Sequence, residues 1–296
     1  MNLLAVVWDF NPTLINIGGF EIRWYSLCWV VALLVGGWLF SYFCKREGRP
    51  ESVSDTAFLY IVLGTIIGAR VGHCLFYEPE IYLREPWKII TGIRDGGLAS
   101  HGATIGILLG IWFSSRKSKV SVWWTADRLG IIAPISGAII RLGNLFNSEI
   151  IGNETTMPWG FKFMRLYPNW PIEAVPMRHP TQLYEALCYF TLFVILFLLY
   201  RYTKLARRQG FIFGAALVGI FLPRFCIEFI KINQVAFEEG MTFNMGQWLS
   251  VPFILVGVGV MVWAYLRKEP VEKVAQPSTA ALKVAQPKKK RHFNKR

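Results

Sequence analysis

Seven long apolar stretches run along the chain, and each has about the length that a helix needs to cross a hydrocarbon core with its backbone hydrogen-bonded. We predict that all seven are membrane-spanning helices, at about Trp24 to Cys44, Asp55 to Tyr77, Leu98 to Phe113, Val122 to Leu142, Gln182 to Tyr200, Phe211 to Ile230 and Gly246 to Leu266. The pattern therefore predicts an all-α integral membrane protein.

The polar segments around these spans suggest three regions. Residues 1–23 have no basic start and contain Asp9 and Asn11, so we expect a non-cytoplasmic segment and not a cleavable signal peptide. Residues 24–267 form the predicted seven-helix domain, and its Pro-, Trp- and Gly-rich stretch at about 143–180 is predicted to be a small external head between the fourth and fifth spans. Residues 268–296 are predicted to be a disordered basic tail.

Basic residues indicate the orientation, because cytoplasmic loops carry an excess of Lys and Arg. The loops after the first, third and fifth spans and the tail together hold twenty Lys and Arg, whereas the alternate loops hold eight. We therefore predict that the N-terminus lies outside and the C-terminus lies in the cytoplasm.

Composition supports a membrane protein, since 53% of residues are hydrophobic and only 17% are charged. The net charge of +13 does not indicate nucleic-acid binding, because ten of the 32 Lys and Arg lie in the tail after Tyr265. Five cysteines lie singly in apolar stretches, which predicts neither a disulfide nor a metal site.

Ionisable side chains within spans are costly, so each one is a candidate for function. They gather near the predicted outer ends of the spans: Arg70, His73, His101, Arg141, Glu185, Arg224 and Glu228. A shared polar cavity would explain this common depth.

Several of these residues also have structural interpretations. Arg224 and Glu228 lie one helical turn apart and would form an intrahelical ion pair as readily as a ligand site. Arg70 would pair with Glu149 or Glu185, and His73 is more typical of a packing residue. We expect a structural pair at Asp127 and Arg128, nearer the cytoplasmic end.

Two features favour a site over simple packing. His101 lies in a glycine-flanked return to the membrane that starts at Asp95, where backbone can approach a ligand closely. The stretch from Arg141 to Glu149 adds Asn144 and Asn147, and arginine is well shaped to bind phosphate. Arg141 and Arg224 would clamp a phospholipid headgroup, or they would form the anion site of a transporter.

These residues lie in motifs that resemble a known family, the prolipoprotein diacylglyceryl transferases of bacteria. The resemblance extends from about Trp24 to Tyr265, with its motifs in the order of the family. The motifs are Trp24-Tyr25, Gly68 to Gly72, Asp95 to Gly102, Gly137, Arg141 to Gly152, Arg178 to Glu185, Arg224 to Phe229 and Met245 to Gln247.

The resemblance implies an enzyme of the bacterial inner membrane that moves the diacylglyceryl group of phosphatidylglycerol to the lipobox cysteine of a prolipoprotein and releases glycerol phosphate. It implies no metal or organic cofactor. The functional residues of the family fall on Tyr25, His101, Arg141, Asn144, Glu149, Gly152, Arg224 and Glu228. One position departs from the pattern, because Ile220 stands where the family usually carries tyrosine.

The chemistry fits these residue types. The substrate thiol must become a thiolate to act as a nucleophile, and His101 could accept its proton. Arg141 and Arg224 would bind the phosphate and stabilise the charge that develops on it. In this scheme Asn144, Glu149 and Tyr25 orient the reacting groups, Gly152 and Asn144 contribute to the lipid site, and Glu228 holds Arg224.

Two other functions would use the same residues differently. A transporter or flippase for an anionic lipid or small anion would use the arginines as a transit site, but we see no repeat between the two halves of the chain. A structural membrane subunit would need only charges that pair with one another. The ordered motifs favour the transferase.

Overall fold

The computed structural model describes residues 5–92, 99–232 and 240–267 of the chain. These residues divide into two compact units, the first made of residues 5–39 and 123–267 and the second of residues 40–122. The described strands and helices are β1 (Val6–Trp8), β2 (Thr13–Ile17), β3 (Phe20–Arg23), α1 (Trp24–Arg46), α2 (Glu51–Phe76), α3 (Pro79–Arg84), α4 (Lys88–Thr91), α5 (Ser100–Ser118), α6 (Val122–Phe146), β4 (Phe161–Phe163), α7 (Thr181–Tyr202), α8 (Phe211–Glu228) and α9 (Met245–Leu266).

Helices dominate, which confirms the predicted all-α class. Within the described residues, six helices have the length and apolar composition of membrane spans: α1, α2, α6, α7, α8 and α9. The largest differences from the predicted bounds among these six are at α2, which begins at Glu51 instead of Asp55, and at α6, which ends at Phe146 instead of Leu142. The remaining predicted span corresponds to α5, which is not among the six. A total of seven spans therefore remains a prediction.

In the second unit, α2 and α5 run antiparallel with their backbones in contact. Gly72 of α2 faces Gly102 of α5, and a Cβ added at Gly72 would lie 2.7 Å from the Gly102 Cα. Gly64 faces Gly106 in the same way. Small residues permit this close approach of membrane helices. The glycines of α5 are thus the residues that attach it to α2.

Short strands, which were not predicted from the sequence, lie at one end of the first unit. β1 pairs in parallel with β4, from Val6 opposite Phe161 to Trp8 opposite Phe163, and β2 pairs antiparallel with β3. The Trp8 indole N–H donates a hydrogen bond of 3.1 Å to the Leu145 carbonyl near the end of α6. The N-terminal strands are therefore fastened to the segment between α6 and α7, the predicted head.

Side chains satisfy helix termini at the opposite end of the first unit. The Asp127 carboxylate accepts hydrogen bonds from the backbone N–H groups of Gly210 at 2.8 Å and Phe213 at 2.9 Å, where α8 begins. The Arg208 guanidinium donates to the Tyr265 carbonyl at the end of α9. Helix ends leave backbone groups without intrahelical partners, so these contacts fix where α8 begins and α9 ends. Asp127 therefore has a structural role, whereas its predicted pairing with Arg128 stays a prediction.

Candidate active site

Four helices of the first unit bring charged and polar side chains to one end, where α6 and α8 finish and α7 and α9 begin. The residues that meet there are Arg141 and Asn144 of α6, Glu185 and Tyr189 of α7, Glu228 of α8, Gly246 of α9, and Lys231, which follows α8. Ionisable groups at this depth in apolar helices mark a functional site.

Arg141 is held by contacts to three residues. Its Nε lies 2.6 Å from Glu185 Oε2, and its Nη1 donates a hydrogen bond of 3.0 Å to Asn144 Oδ1. The third is Tyr189 of α7, whose hydroxyl is close enough to the guanidinium for the two groups to interact. The Nε–H is not aligned with Glu185 Oε2, so this contact is a close ion pair and not a hydrogen bond. The arginine is thereby fixed, while part of its N–H set has no partner among the residues that the structure describes.

Asn144 links the arginine to a carboxylate. Its Oδ1 accepts from Arg141, and its Nδ2 donates a hydrogen bond of 2.7 Å to Glu149 Oε1. Because Asn144 is only 3% exposed, both contacts are shielded from solvent. Side-chain hydrogen bonds thus connect three residues that were assigned to the site from the sequence: Arg141, Asn144 and Glu149.

The loop after α6 is strained. Ser148 and Ile150 have φ angles of 54° and 59°, in the left-handed region that a β-branched residue such as Ile rarely adopts. The Thr181 hydroxyl donates to the Ile150 carbonyl at 2.7 Å, and the Gln182 amide donates to the Glu149 carbonyl. Such strain persists where surrounding contacts enforce it, and it clusters at functional sites.

Lys231 is the residue that the sequence analysis missed. Its Nζ lies 2.9 Å from Glu185 Oε1 and 3.0 Å from Glu228 Oε2, and its side chain is 2% exposed. The sequence analysis counted it among the basic residues of a loop because it follows the end of α8. Its spacing of three residues from Glu228 was the available signal.

Gly152 was predicted to bind the lipid, and the structure gives it a packing role. Its N–H donates to the His179 carbonyl at 2.9 Å, and it forms an antiparallel bridge with Lys231. A Cβ added at Gly152 would lie 2.6 Å from the His179 Cβ and 2.8 Å from the Ile230 carbonyl oxygen. Only glycine lets the two segments approach this closely.

The expectation that Glu228 holds Arg224 is wrong. The Glu228 carboxylate contacts Lys231, and Gly246 packs against it so closely that a Cβ there would lie 2.6 Å from the carboxyl carbon. Within residues 5–92, 99–232 and 240–267, Arg224 makes neither an ion pair nor a hydrogen bond. Its positive charge acts on Tyr189, as does that of Arg141.

Two further positions belong to the first unit. The Tyr25 ring packs on α6 at Gly143, where an added Cβ would lie 2.9 Å from Tyr25 Cδ2. Ile220, the position that departs from the family pattern, lies half-buried in α8, one turn before Arg224. The phenol beside the arginines comes from Tyr189 of α7, which the sequence analysis did not single out.

His101 lies in the second unit at the start of α5. Its ring stacks on Tyr77 with a centroid distance of 5.7 Å, and it meets Phe76 edge to face at 5.9 Å. His73 stacks on the same Tyr77 at 5.5 Å and lies 3.6 Å from Glu78, which agrees with a packing role. The predicted glycine-flanked stretch from Asp95 to Leu98 lies outside the described residues.

Arg70, also in the second unit, binds backbone carbonyls. Its guanidinium donates to the carbonyls of Ile89 at 2.9 Å and Lys88 at 3.1 Å. Its predicted partners have other contacts, since Glu149 accepts from Asn144 and Glu185 contacts Arg141 and Lys231. Arg70 therefore fastens the segment around α4 to α2.

Comparisons with known proteins agree with the motifs. Residues 12–263 match the family model described as prolipoprotein diacylglyceryl transferase. The chain is similar to the phosphatidylglycerol-prolipoprotein diacylglyceryl transferase of Tolumonas auensis, with 45% identity over 256 residues, 86% of this chain and 96% of the relative. It is 44% identical to that of Porphyromonas gingivalis, over 88% of this chain and 94% of the relative. For that of Bacteroides fragilis the identity is 40%, over 91% and 99%.

Proposed function

This chain belongs to the prolipoprotein diacylglyceryl transferase family, and we propose that it transfers the diacylglyceryl group of phosphatidylglycerol to the lipobox cysteine of a prolipoprotein. The chain is a transferase of lipoprotein biosynthesis, as its relatives are. The relatives are named for phosphatidylglycerol and prolipoprotein, which supports these substrates, and the resemblance of the motifs supports the lipobox cysteine as the acceptor.

The observation that carries this proposal is the difference between the two arginines. Arg141 is held by Glu185 and Asn144, whereas Arg224 has no carboxylate partner within the described residues. A buried or half-buried cation without a partner favours binding of an anion. A phosphodiester with one negative charge is such an anion, and guanidinium groups bind phosphate oxygens through two parallel hydrogen bonds.

The proposed reaction is a displacement at carbon. The cysteine thiolate attacks the glyceryl carbon that carries the phosphate ester, so that a carbon–sulfur bond forms as the carbon–oxygen bond breaks. The bonding electrons leave on the phosphate oxygen, and the departing glycerol phosphate gains a negative charge. Arg141 and Arg224 stabilise that charge, which is worth most in a site of low dielectric.

The thiol proton must go to a base. A free cysteine thiol has a pKa of about 8.5, so only a small fraction is thiolate at neutral pH. We assign the base role to His101, following the motif of the family. Tyr25 and Glu149 are proposed to orient the lipid and the arginine through their contacts on α6 at Gly143 and Asn144.

The membrane arrangement follows from the same proposal. We propose that the active end of the first unit lies on the non-cytoplasmic side of the bacterial inner membrane, with residues 1–23 on that side and the basic tail of 268–296 in the cytoplasm. The excess of Lys and Arg in alternate loops supports this orientation. The acyl chains of the lipid would then remain in the bilayer while its headgroup reaches the arginines.

The test uses purified protein in neutral detergent with phosphatidylglycerol and a peptide that carries a lipobox cysteine. We expect one diacylglyceryl thioether and one glycerol phosphate per turnover, and no product from a matched peptide with serine in place of cysteine. Lipid movement across vesicles without thioether would favour the transporter, and release of glycerol phosphate without thioether would indicate a hydrolase. Either result would overturn the proposal.

A further inference from the structure

We propose that Lys231 is a positioning residue that keeps Arg141 available to the lipid phosphate by taking up the charge of Glu185. This inference rests on the proposed function, because it concerns the same site. It assigns a task to a buried cation that neither the motifs nor the names of the relatives assign.

Lys231 lies between two buried carboxylates. Its Nζ is 2.9 Å from Glu185 Oε1 and 3.0 Å from Glu228 Oε2, while Glu185 is 0% exposed and Glu228 is 8% exposed. An ionised carboxylate this deeply buried requires a cation in contact with it. Lys231 is the cation that the two carboxylates share.

Glu185 divides its two oxygens between two cations. Oε1 accepts a hydrogen bond from Lys231, whereas Oε2 lies 2.6 Å from Arg141 Nε without an aligned N–H. The charge of Glu185 is thus shared, and its hydrogen bond goes to the lysine. Asn144 still orients Arg141. Because Glu185 also contacts Lys231, it neutralises the positive potential of Arg141 less than it would in an exclusive pair.

The backbone fixes the lysine in this position. Residues 151–153 run antiparallel to residues 230–232, with the Asn153 N–H donating to the Ile230 carbonyl at 2.7 Å and the Ile232 N–H donating to the Ile151 carbonyl at 3.2 Å. Gly152 faces Lys231 in this pairing. The glycine that the family motif includes therefore serves to hold the lysine against Glu185.

Without the Lys231 charge, Glu185 would keep its contact with Arg141 but lose its contact with the second cation. The two would close into an exclusive ion pair, and a second buried carboxylate, Glu228, would lose its partner. Both changes oppose the approach of an anionic phosphate to the site. The effect should therefore appear in the Michaelis constant for phosphatidylglycerol more than in the turnover of bound lipid.

The variants separate this role from a purely structural one. Lys231→Met is expected to be unstable, because it leaves the buried Glu228 carboxylate without its cation. The comparison is therefore made between Glu228→Gln and the double variant Glu228→Gln with Lys231→Met, since neither contains the buried Glu228 carboxylate. These two variants differ in the contact of Lys231 with Glu185. Lys231→Arg keeps the charge, and Lys45→Met removes an exposed lysine whose ion pair with Glu51 spans 3.7 Å.

Kinetic constants for phosphatidylglycerol and melting temperatures are measured for all variants in the same detergent. We expect the double variant to melt within a few degrees of Glu228→Gln and to have a Michaelis constant at least tenfold higher. We also expect Lys231→Arg to recover at least a third of the wild-type kcat/KM and Lys45→Met to match wild type. Equal Michaelis constants for Glu228→Gln and the double variant would overturn the inference. A wild type that forms no thioether would instead refute the proposed function.

Discussion

Arg141 Nε and Glu185 Oε2 lie 2.6 Å apart, with the glutamate fully buried, and this pair fixes one of the two arginines proposed to bind the lipid phosphate. A lysine at position 141 would keep the charge but could not contact Glu185, Asn144 and a phosphate from one planar group. We predict that Arg141→Lys lowers kcat/KM at least 100-fold, the magnitude seen when one charge-stabilising donor is removed. The matched control is Arg23→Lys, because Arg23 is exposed and pairs with exposed Glu21. Activity of Arg141→Lys within threefold of wild type would remove the arginine from the mechanism.

Asn144 and Glu149 form the second contact that orients Arg141. Asn144→Asp would bring two carboxylates together at the present distance of 2.7 Å, so we expect at least a 30-fold loss of kcat/KM. Adding Glu149→Gln should restore a donor to the new carboxylate and recover at least tenfold of that loss. The measurement is thioether formation by both variants at saturating peptide. A double variant no better than the single one would mean that Glu149 acts in another way than through Asn144.

Gly246 and Gly259 on α9 offer a matched pair of glycines. A Cβ at Gly246 would lie 2.6 Å from the Glu228 carboxyl carbon, whereas one at Gly259 would meet no described atom within 4 Å. Gly246→Ala should therefore lower stability by about 1–3 kcal/mol and displace Glu228 from Lys231. Gly259→Ala should leave stability unchanged or raise it by up to about 1 kcal/mol. Thermal unfolding in detergent compares them, and equal melting temperatures would contradict the close contact at Gly246.

His101 and His73 stack on the same Tyr77, each with an angle of 18° between the rings. If His101 is the base, His101→Ala should lower kcat at least 100-fold at pH 7. His73→Ala removes a similar stacking contact from Tyr77 and should stay within about threefold of wild type. A similar loss in both variants would indicate that the stack, and not proton transfer, is what matters.

The sequence was informative wherever structure depends on local pattern. Apolar length located the helices to within five residues at each end, because a span must cover the hydrocarbon core. The ends of α2 and α6 were less well predicted, since polar residues such as Asn144 continue α6 beyond its apolar part. The parallel pairing of β1 with β4 joins Val6 to Phe161 and leaves no local signal in so short a strand.

In the site, too, contacts between residues close in sequence were easier to predict than contacts between residues distant in sequence. Arg141, Asn144 and Glu149 lie within nine residues, so their proximity could be anticipated from the sequence, and the spacing of three between Arg141 and Asn144 is helical. Lys231 and its contact with Glu185 depend on the approach of Gly152, which is distant in sequence. The predicted pairing of Arg224 with Glu228 failed because Glu228 contacts Lys231, three residues further along the chain, where the bridge to Gly152 holds the lysine.

Equilibrium binding of phosphatidylglycerol in the absence of peptide tests the central claim most directly, because no chemistry can then occur. Titration of a short-chain phosphatidylglycerol, followed by tryptophan fluorescence, gives dissociation constants for wild type, Arg141→Gln, Arg224→Gln and the surface control Arg23→Gln. We predict that each of the first two variants binds at least tenfold more weakly than wild type, or about 1.4 kcal/mol, and that the control is unchanged. Wild-type affinity in both Arg141→Gln and Arg224→Gln would contradict the claim that these two guanidinium groups bind the lipid phosphate.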